Sequence, residues 1–211
     1  MKIVGISGQM AYGKDELADC LIEIYKNKKN INWIKRGMAV PVKETFCKMF
    51  NVDMDFIERW KRNPDPPPGF KKNVRDSLQF VGDGARSIDP YVWIKQMVKF
   101  SEENSEKNIF VPDCRYFNEA ELIKKRNGFT ILVYRPGYLN DNKNESESQI
   151  RKVLDWIISN DFKEGKIDLQ RMSLYHSYPK EILFYDYFIL NDSSLEDYRL
   201  KIEKDVFPLI S

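Results

Sequence analysis

Short apolar runs alternate along this chain with stretches whose apolar residues recur every three to four positions, the pattern of strands followed by amphipathic helices. Residues 2–7 (Lys-Ile-Val-Gly-Ile-Ser) read as a buried strand, and Leu17, Cys20, Leu21 and Ile24 give one apolar face to a helix over 15–25. Residues 26–30, with three lysines and two asparagines, read as a solvated turn, and 33–36 as a second strand. Helices are expected over 39–50, from a cap at Asp53 to about 62, over 73–86, and from Asp89-Pro90 to about 103. The loop 63–69, with four prolines and a glycine, can be neither helix nor central strand and is the best candidate for a hinge or flap. Further strands are expected at 108–112, 129–134 and within 182–190, with helices at 117–126 and 149–158 and after a Ser193 or Ser194 cap. Residues 160–180, which hold the lone His176, show no clear period. Five strands alternating with helices predict an α/β fold: a mainly parallel sheet with helices on both faces.

The first strand runs straight into Gly8-Gln9-Met10-Ala11-Tyr12-Gly13-Lys14, and a helix follows. Strand, glycine-bounded loop, lysine and helix is the context of a phosphate-binding loop. Glycines let backbone N–H groups turn inward around an anion, the helix N-terminus adds its positive end, and Lys14 supplies a mobile cation. Ligands of open parallel sheets sit outside the carboxyl ends of the strands. Asp113 and Arg115 follow the 108–112 strand and Arg135 follows the 129–134 strand, so all three are expected at the edge that carries the loop. In the 73–86 helix, Arg75, Gln79, Gly82 and Arg86 form one stripe that suits a phosphate and a base, or else a solvated face.

Composition narrows the chemistry. The 211 residues suit one domain with a small excursion. With 34 basic and 32 acidic side chains, the net charge of +2 argues against a long duplex-binding surface. One histidine excludes a histidine-rich metal site, and Cys20, Cys47 and Cys114 have no metal or redox spacing and suggest a reducing compartment. No apolar run nears the ~18 residues that span a bilayer, and no leader pattern precedes the first strand, so the expected setting is the cytoplasm, the host's if the protein is viral.

Five stretches together resemble the deoxynucleoside monophosphate kinase family best known from phages. They are the loop ending Gly13-Lys14-Asp15; Ala39-Val40-Pro41-Val42-Lys43; the Arg75, Leu78-Gln79, Gly82, Arg86 and Trp93 set; residues 113–120, Asp-Cys-Arg-Tyr-Phe-Asn-Glu-Ala; and the closing residues 185–192. The resemblance implies a P-loop kinase fold with a helical substrate-binding part over about 37–105 and a lid with an insertion over about 135–180. It implies Mg²⁺-dependent transfer of the ATP γ-phosphate to a nucleoside monophosphate. Gly8, Met10, Ala11, Tyr12, Gly13, Lys14, Asp15, Glu16 and Asn191 would then contact ATP, with Asn191 by the adenine. Lys14, Asp113, Arg115 and Arg135 would serve the transferring group, and Asp15 and Asp113 the metal, directly or through water. Lys43, Arg75, Gln79, Arg86, Trp93 and Asp113 would receive the monophosphate. The polar loop 136–148 would close over the nucleotide. The family's Thr after Gly-Lys-Asp is Glu16 here, and its His-x-Ser-Glu element is matched by 144–147 without the histidine. A different small-molecule P-loop kinase, one resembling dephospho-CoA kinase or acting on a modified base, stays open, as do a nucleotide-binding module without transfer and a homodimer.

Overall fold

A computed structural model describes residues 2–138 and 145–210, without the side chains of 145–147. The chain divides into two compact units, Met38–Glu103 and the remainder.

The larger unit carries a six-stranded sheet, one strand more than expected. Its strands are β1 (Ile3–Ser7), β2 (Trp33–Lys35), β3 (Asn108–Cys114), β4 (Phe129–Tyr134), β5 (Gly165–Lys166) and β6 (Tyr187–Leu190), in the order β2-β3-β1-β4-β6-β5. All neighbours are parallel except β5, which runs antiparallel to β6. The chain leaves β1 toward β2 on one side, and β4 lies on the other, so the carboxyl end of β1 is the topological switch point.

Helix α1 (Lys14–Lys29) packs on β1, β2 and β3, and its Leu17 and Leu21 join Val4 and Ile6 in the main core. Gly5 faces the other way, and a Cβ there would stand 2.8 Å from Ile123 of α6 (Phe117–Lys125). Because strand side chains alternate, helices cover both faces. The expected turn at 26–30 is instead the last turn of α1: its lysines face the helix's negative end, and Asn30 takes the left-handed conformation and closes it. Helix α6 ends on Asn127, the left-handed residue, while Gly128 is needed because a Cβ would stand 2.7 Å from the Ile3 carbonyl oxygen.

The unpatterned 160–180 segment is ordered. After α7 (Glu145–Ser159) it forms β5 and the short α8 (Leu169–Met172), burying Phe162, Ile167 and Met172 singly rather than periodically. A 3₁₀ turn (Lys180–Phe184) leads into β6. The end of the chain is one helical rod: α9 (Leu195–Lys201), capped by Ser194, then a π turn (Ile202–Val206), then α10 (Phe207–Ile210). Pro208 has no N–H to donate, and the helix widens in the turn before it.

The smaller unit is helical, with α2 (Ala39–Phe50), α3 (Met54–Trp60), α4 (Val74–Ile88) and α5 (Val92–Glu103). Its small core joins Phe46, Ile57 and Val74. The proline-rich loop is pinned to this core, because Phe70 stacks among Phe46, Phe50 and Phe56 and donates its N–H to the Pro67 carbonyl.

Candidate active site

The loop after β1 has the backbone of an anion nest. Gly8 (φ 150°), Ala11 (φ 63°) and Gly13 (φ 94°) all lie at positive φ. No side chain fits at Gly8, where a Cβ would stand 2.6 Å from the Val133 carbonyl oxygen, or at Gly13, where it would stand 2.5 Å from Asn191 Nδ2. The loop is fastened from several sides. Tyr12 Oη donates to Gln9 Oε1 at 2.8 Å, Asn191 Nδ2 donates to the Tyr12 carbonyl at 3.0 Å, and Arg135 Nη1 donates to the Ala11 carbonyl at 3.4 Å. Lys14 is buried as the first residue of α1, and its Nζ donates to the Gln9 carbonyl at 2.6 Å. Met10 and Ala11 are exposed at the loop tip.

Strand pairing brings the other candidates to this loop. Ser7 lies opposite Cys114 on one side and Leu132 on the other, so β3 and β4 end beside it. Asn191 follows β6, and its N–H donates to the Tyr134 carbonyl next to Arg135. Strand β3 reaches Asp113 through a bulge. Gly5 pairs with Val111 but Ser7 with Cys114, so Ile6 faces two residues, Pro112 and Asp113. Pro112 cannot donate to a ladder, and the bulge accommodates it within an inner strand. The Asp113 carboxylate lies over Gly37, where a Cβ would meet it at 2.7 Å. The turn that follows is set by buried Glu119, whose Oε2 accepts from the N–H groups of Arg115 (2.8 Å) and Tyr116 (3.2 Å). Beneath it, burial pushes the Cys114 thiol well above its usual range, and the charges of Glu119 and Asp113 push the same way. That thiol is an inert filler.

The two acids after Lys14 do not converge on the loop. Glu16 Oε1 accepts from Arg199 Nε of α9 at 2.6 Å, and Asp15 lies 3.6 Å from Lys35 Nζ, which is held by Asp19 at 2.7 Å. Burial alone would lower the Lys35 pKa, but its hydrogen bond to Asp19 and the charges of Asp19 and Asp15 leave it raised. Sequence reasoning passed over Lys35 and Arg199. Lys35 closes a strand whose edge position only the sheet order reveals, and Arg199 lies 183 residues from its partner.

Among the described residues no group of three or more His, Cys, Asp or Glu is gathered for a metal. Mg²⁺ that arrives with a nucleotide needs only one or two carboxylates besides the phosphates. Asp113 meets that need at the strand edge, so the donor set fits.

The remaining candidates belong to the helical unit. Arg75 and Gln79 are exposed on α4, Gly82 is buried in the same stripe, and Arg86 Nη1 lies 3.3 Å from Asp83. Trp93 is 4% exposed, and its indole N–H donates to the Gly82 carbonyl at 3.0 Å, so it braces α4. Lys43 holds Glu58 at 2.8 Å. The 136–148 lid and the 144–147 element fall largely outside the described residues. No described helix is long and apolar enough to cross a membrane.

No family model matches the chain. Among solved structures, shikimate kinase from Bacteroides thetaiotaomicron aligns over 96% of this chain and 97% of its own at 12% identity with a TM-score of 0.37. A protein of Acanthamoeba polyphaga mimivirus is 24% identical over 176 residues, 75% of this chain and 86% of its own length, and carries the name "Putative deoxynucleotide monophosphate kinase". Across three quarters of its length, then, the chain is similar to a protein that bears the name of the family its motifs resemble.

Proposed function

We propose that this protein transfers the γ-phosphoryl group of ATP to a deoxynucleoside monophosphate, giving ADP and the deoxynucleoside diphosphate. The observation that carries the reading is the loop from Gly8 to Lys14, a strained anion nest at the switch point of a parallel sheet, with Asp113 on β3 and Arg135 just past β4 beside it. Such fold and loop support a nucleotide or small-molecule kinase, and the named relative supports the monophosphate acceptor.

Phosphoryl transfer asks for alignment and charge neutralisation more than for proton abstraction, since the acceptor phosphate is already anionic near neutral pH. The loop amides and Lys14 hold the ATP phosphates. Arg135, whose guanidinium already reaches the loop tip at Ala11, and Arg115 answer the charge on the transferring group. Asp113 would hold Mg²⁺, directly or through water, and the ion would supply charge neutralisation between the phosphates. Arg75 and Arg86 are assigned to the acceptor phosphate and Gln79 to the base edge. Trp93 keeps their helix in place.

Purified protein with ATP, Mg²⁺ and each common dNMP is expected to release ADP and a dNDP. Lys14→Ala is expected to lower kcat by ~10²–10³, the cost of deleting one group that stabilises developing charge. Turnover with a pantetheine-bearing acceptor in place of any dNMP would overturn the acceptor class. Nucleotide binding without ADP release would overturn the transfer itself.

A further inference from the structure

A phosphate loop followed by two acidic residues presents a difficulty: each carboxylate next to Lys14 opposes the anion that the loop would bind. Both acids are met by a cation from a different element, Asp15 by Lys35 at the end of β2 and Glu16 by Arg199 on α9. The second pair is the closer, at 2.6 Å, and Arg199 also lies 3.9 Å from Glu23, further along the same face of α1. The hydrogen bond and charge of Glu16 raise the Arg199 pKa further, so the cation is permanent.

Arg199 does not stand on a loose arm. The segment that carries it touches the phosphate loop at successive points. Asn191 Nδ2 binds the Tyr12 carbonyl, and the Asn191 amide and Tyr198 ring fill the space that a side chain at Gly13 would take. Tyr198 is 1% exposed, and Ser194 fixes the start of α9 by accepting from the Asp197 N–H. The guanidinium is thus delivered by a buried neighbour and a capped helix.

We propose that Arg199 is a positioning residue for nucleotide binding: it turns the Glu16 carboxylate away from the phosphate loop onto α9 and cancels its charge, which makes an acidic loop compatible with ATP. The inference rests on the phosphate-loop part of the reading above and not on the identity of the acceptor. A pair this exposed adds little to stability, because solvent screens the two charges. Its effect belongs to the ligand, whose several negative charges feel an uncancelled carboxylate at the loop.

The test measures the Kd of Mg-ATP by calorimetry at low salt in five proteins: the wild type, Arg199→Ala, Arg199→Lys, Glu16→Gln and the Glu16→Gln/Arg199→Ala double variant. Arg199→Ala is expected to weaken binding about five- to twentyfold, and Arg199→Lys to restore most of it. The same Arg199→Ala change made on top of Glu16→Gln is expected to cost less than about twofold, because the charge it answered is gone. At ~1 M salt, where charges are screened beyond ~3 Å, the Arg199→Ala loss shrinks. Unaltered affinity in Arg199→Ala, or an equal loss in the Glu16→Gln background, would overturn the proposal and leave Arg199 a packing residue. Wild-type protein that binds no ATP overturns this inference together with the phosphate-loop reading. Wild-type protein that binds ATP but phosphorylates no dNMP overturns the kinase assignment alone, and the Kd comparisons then decide the role of Arg199.

Discussion

Single residues here carry charge arrangements that solution measurements can read. Glu58 in the helical unit accepts from Lys43 at 2.8 Å and from Lys61, and those two hydrogen bonds, the Lys43 one foremost, hold its carboxyl at about 2. An unfolded glutamate titrates near ~4.3. The folded value is depressed, so the contribution to stability is full above ~4.3 and is lost as pH falls toward 2. Glu58 is half exposed, and solvent screening keeps that contribution small. A carbon-detected NMR titration is expected to place the Glu58 midpoint near 2 in the native protein and higher in Lys43→Ala, where only Lys61 still holds the carboxylate. An unmoved midpoint in that variant would show that Lys43 is free to serve the acceptor phosphate without leaving Glu58.

Among the elements, β1 with its loop tolerates little change at its glycines. At Gly8 a positive φ coincides with a contact of 2.6 Å between the would-be Cβ and the Val133 carbonyl oxygen on β4. Gly8→Ala is therefore expected to destabilise the protein by more than ~1 kcal/mol in urea unfolding and to weaken nucleotide binding, because backbone rather than a flexible side chain must give way. The strand-loop-helix unit was legible in the sequence because its signals are local: an apolar run, two glycines at fixed spacing and a helical period. Asp113 and Arg135 were legible for a related reason, since strand ends in parallel sheets share an edge. The β3 bulge was not, because Pro112 reads as the end of a strand until a neighbour's register shows that pairing resumes at Cys114. Strand β5 has two residues and no periodicity to display, and its partner is more than twenty residues away. The pairs of Glu16 with Arg199 and Asp15 with Lys35 depend on packing, which periodicity does not report.

For the whole molecule, the proposed labour divides along the two units. The groups assigned to ATP lie in the sheet-bearing unit, and Arg75, Gln79 and Arg86 lie in Met38–Glu103. A ligand at a hundred times its Kd stabilises the unit it binds by ~2.7 kcal/mol. Hydrogen exchange is accordingly expected to slow at 8–14 on adding Mg-ATP and at 75–86 on adding a dNMP. Protection of 75–86 by ATP alone would contradict this division. The far side of the sheet has a different task. A parallel sheet that ended at β6 would expose a row of donors and acceptors to any passing strand. Instead Leu190 gives its N–H to Glu164, the two residues of β5 take up the next positions, and Arg171 covers that strand's own back by donating to the Lys166 and Lys163 carbonyls with its guanidinium 4.0 Å from the Phe162 ring. The stretch without a pattern is therefore a hem: it finishes the fabric where it would otherwise fray, and it keeps a protein with so apolar a centre from being stitched to its neighbours.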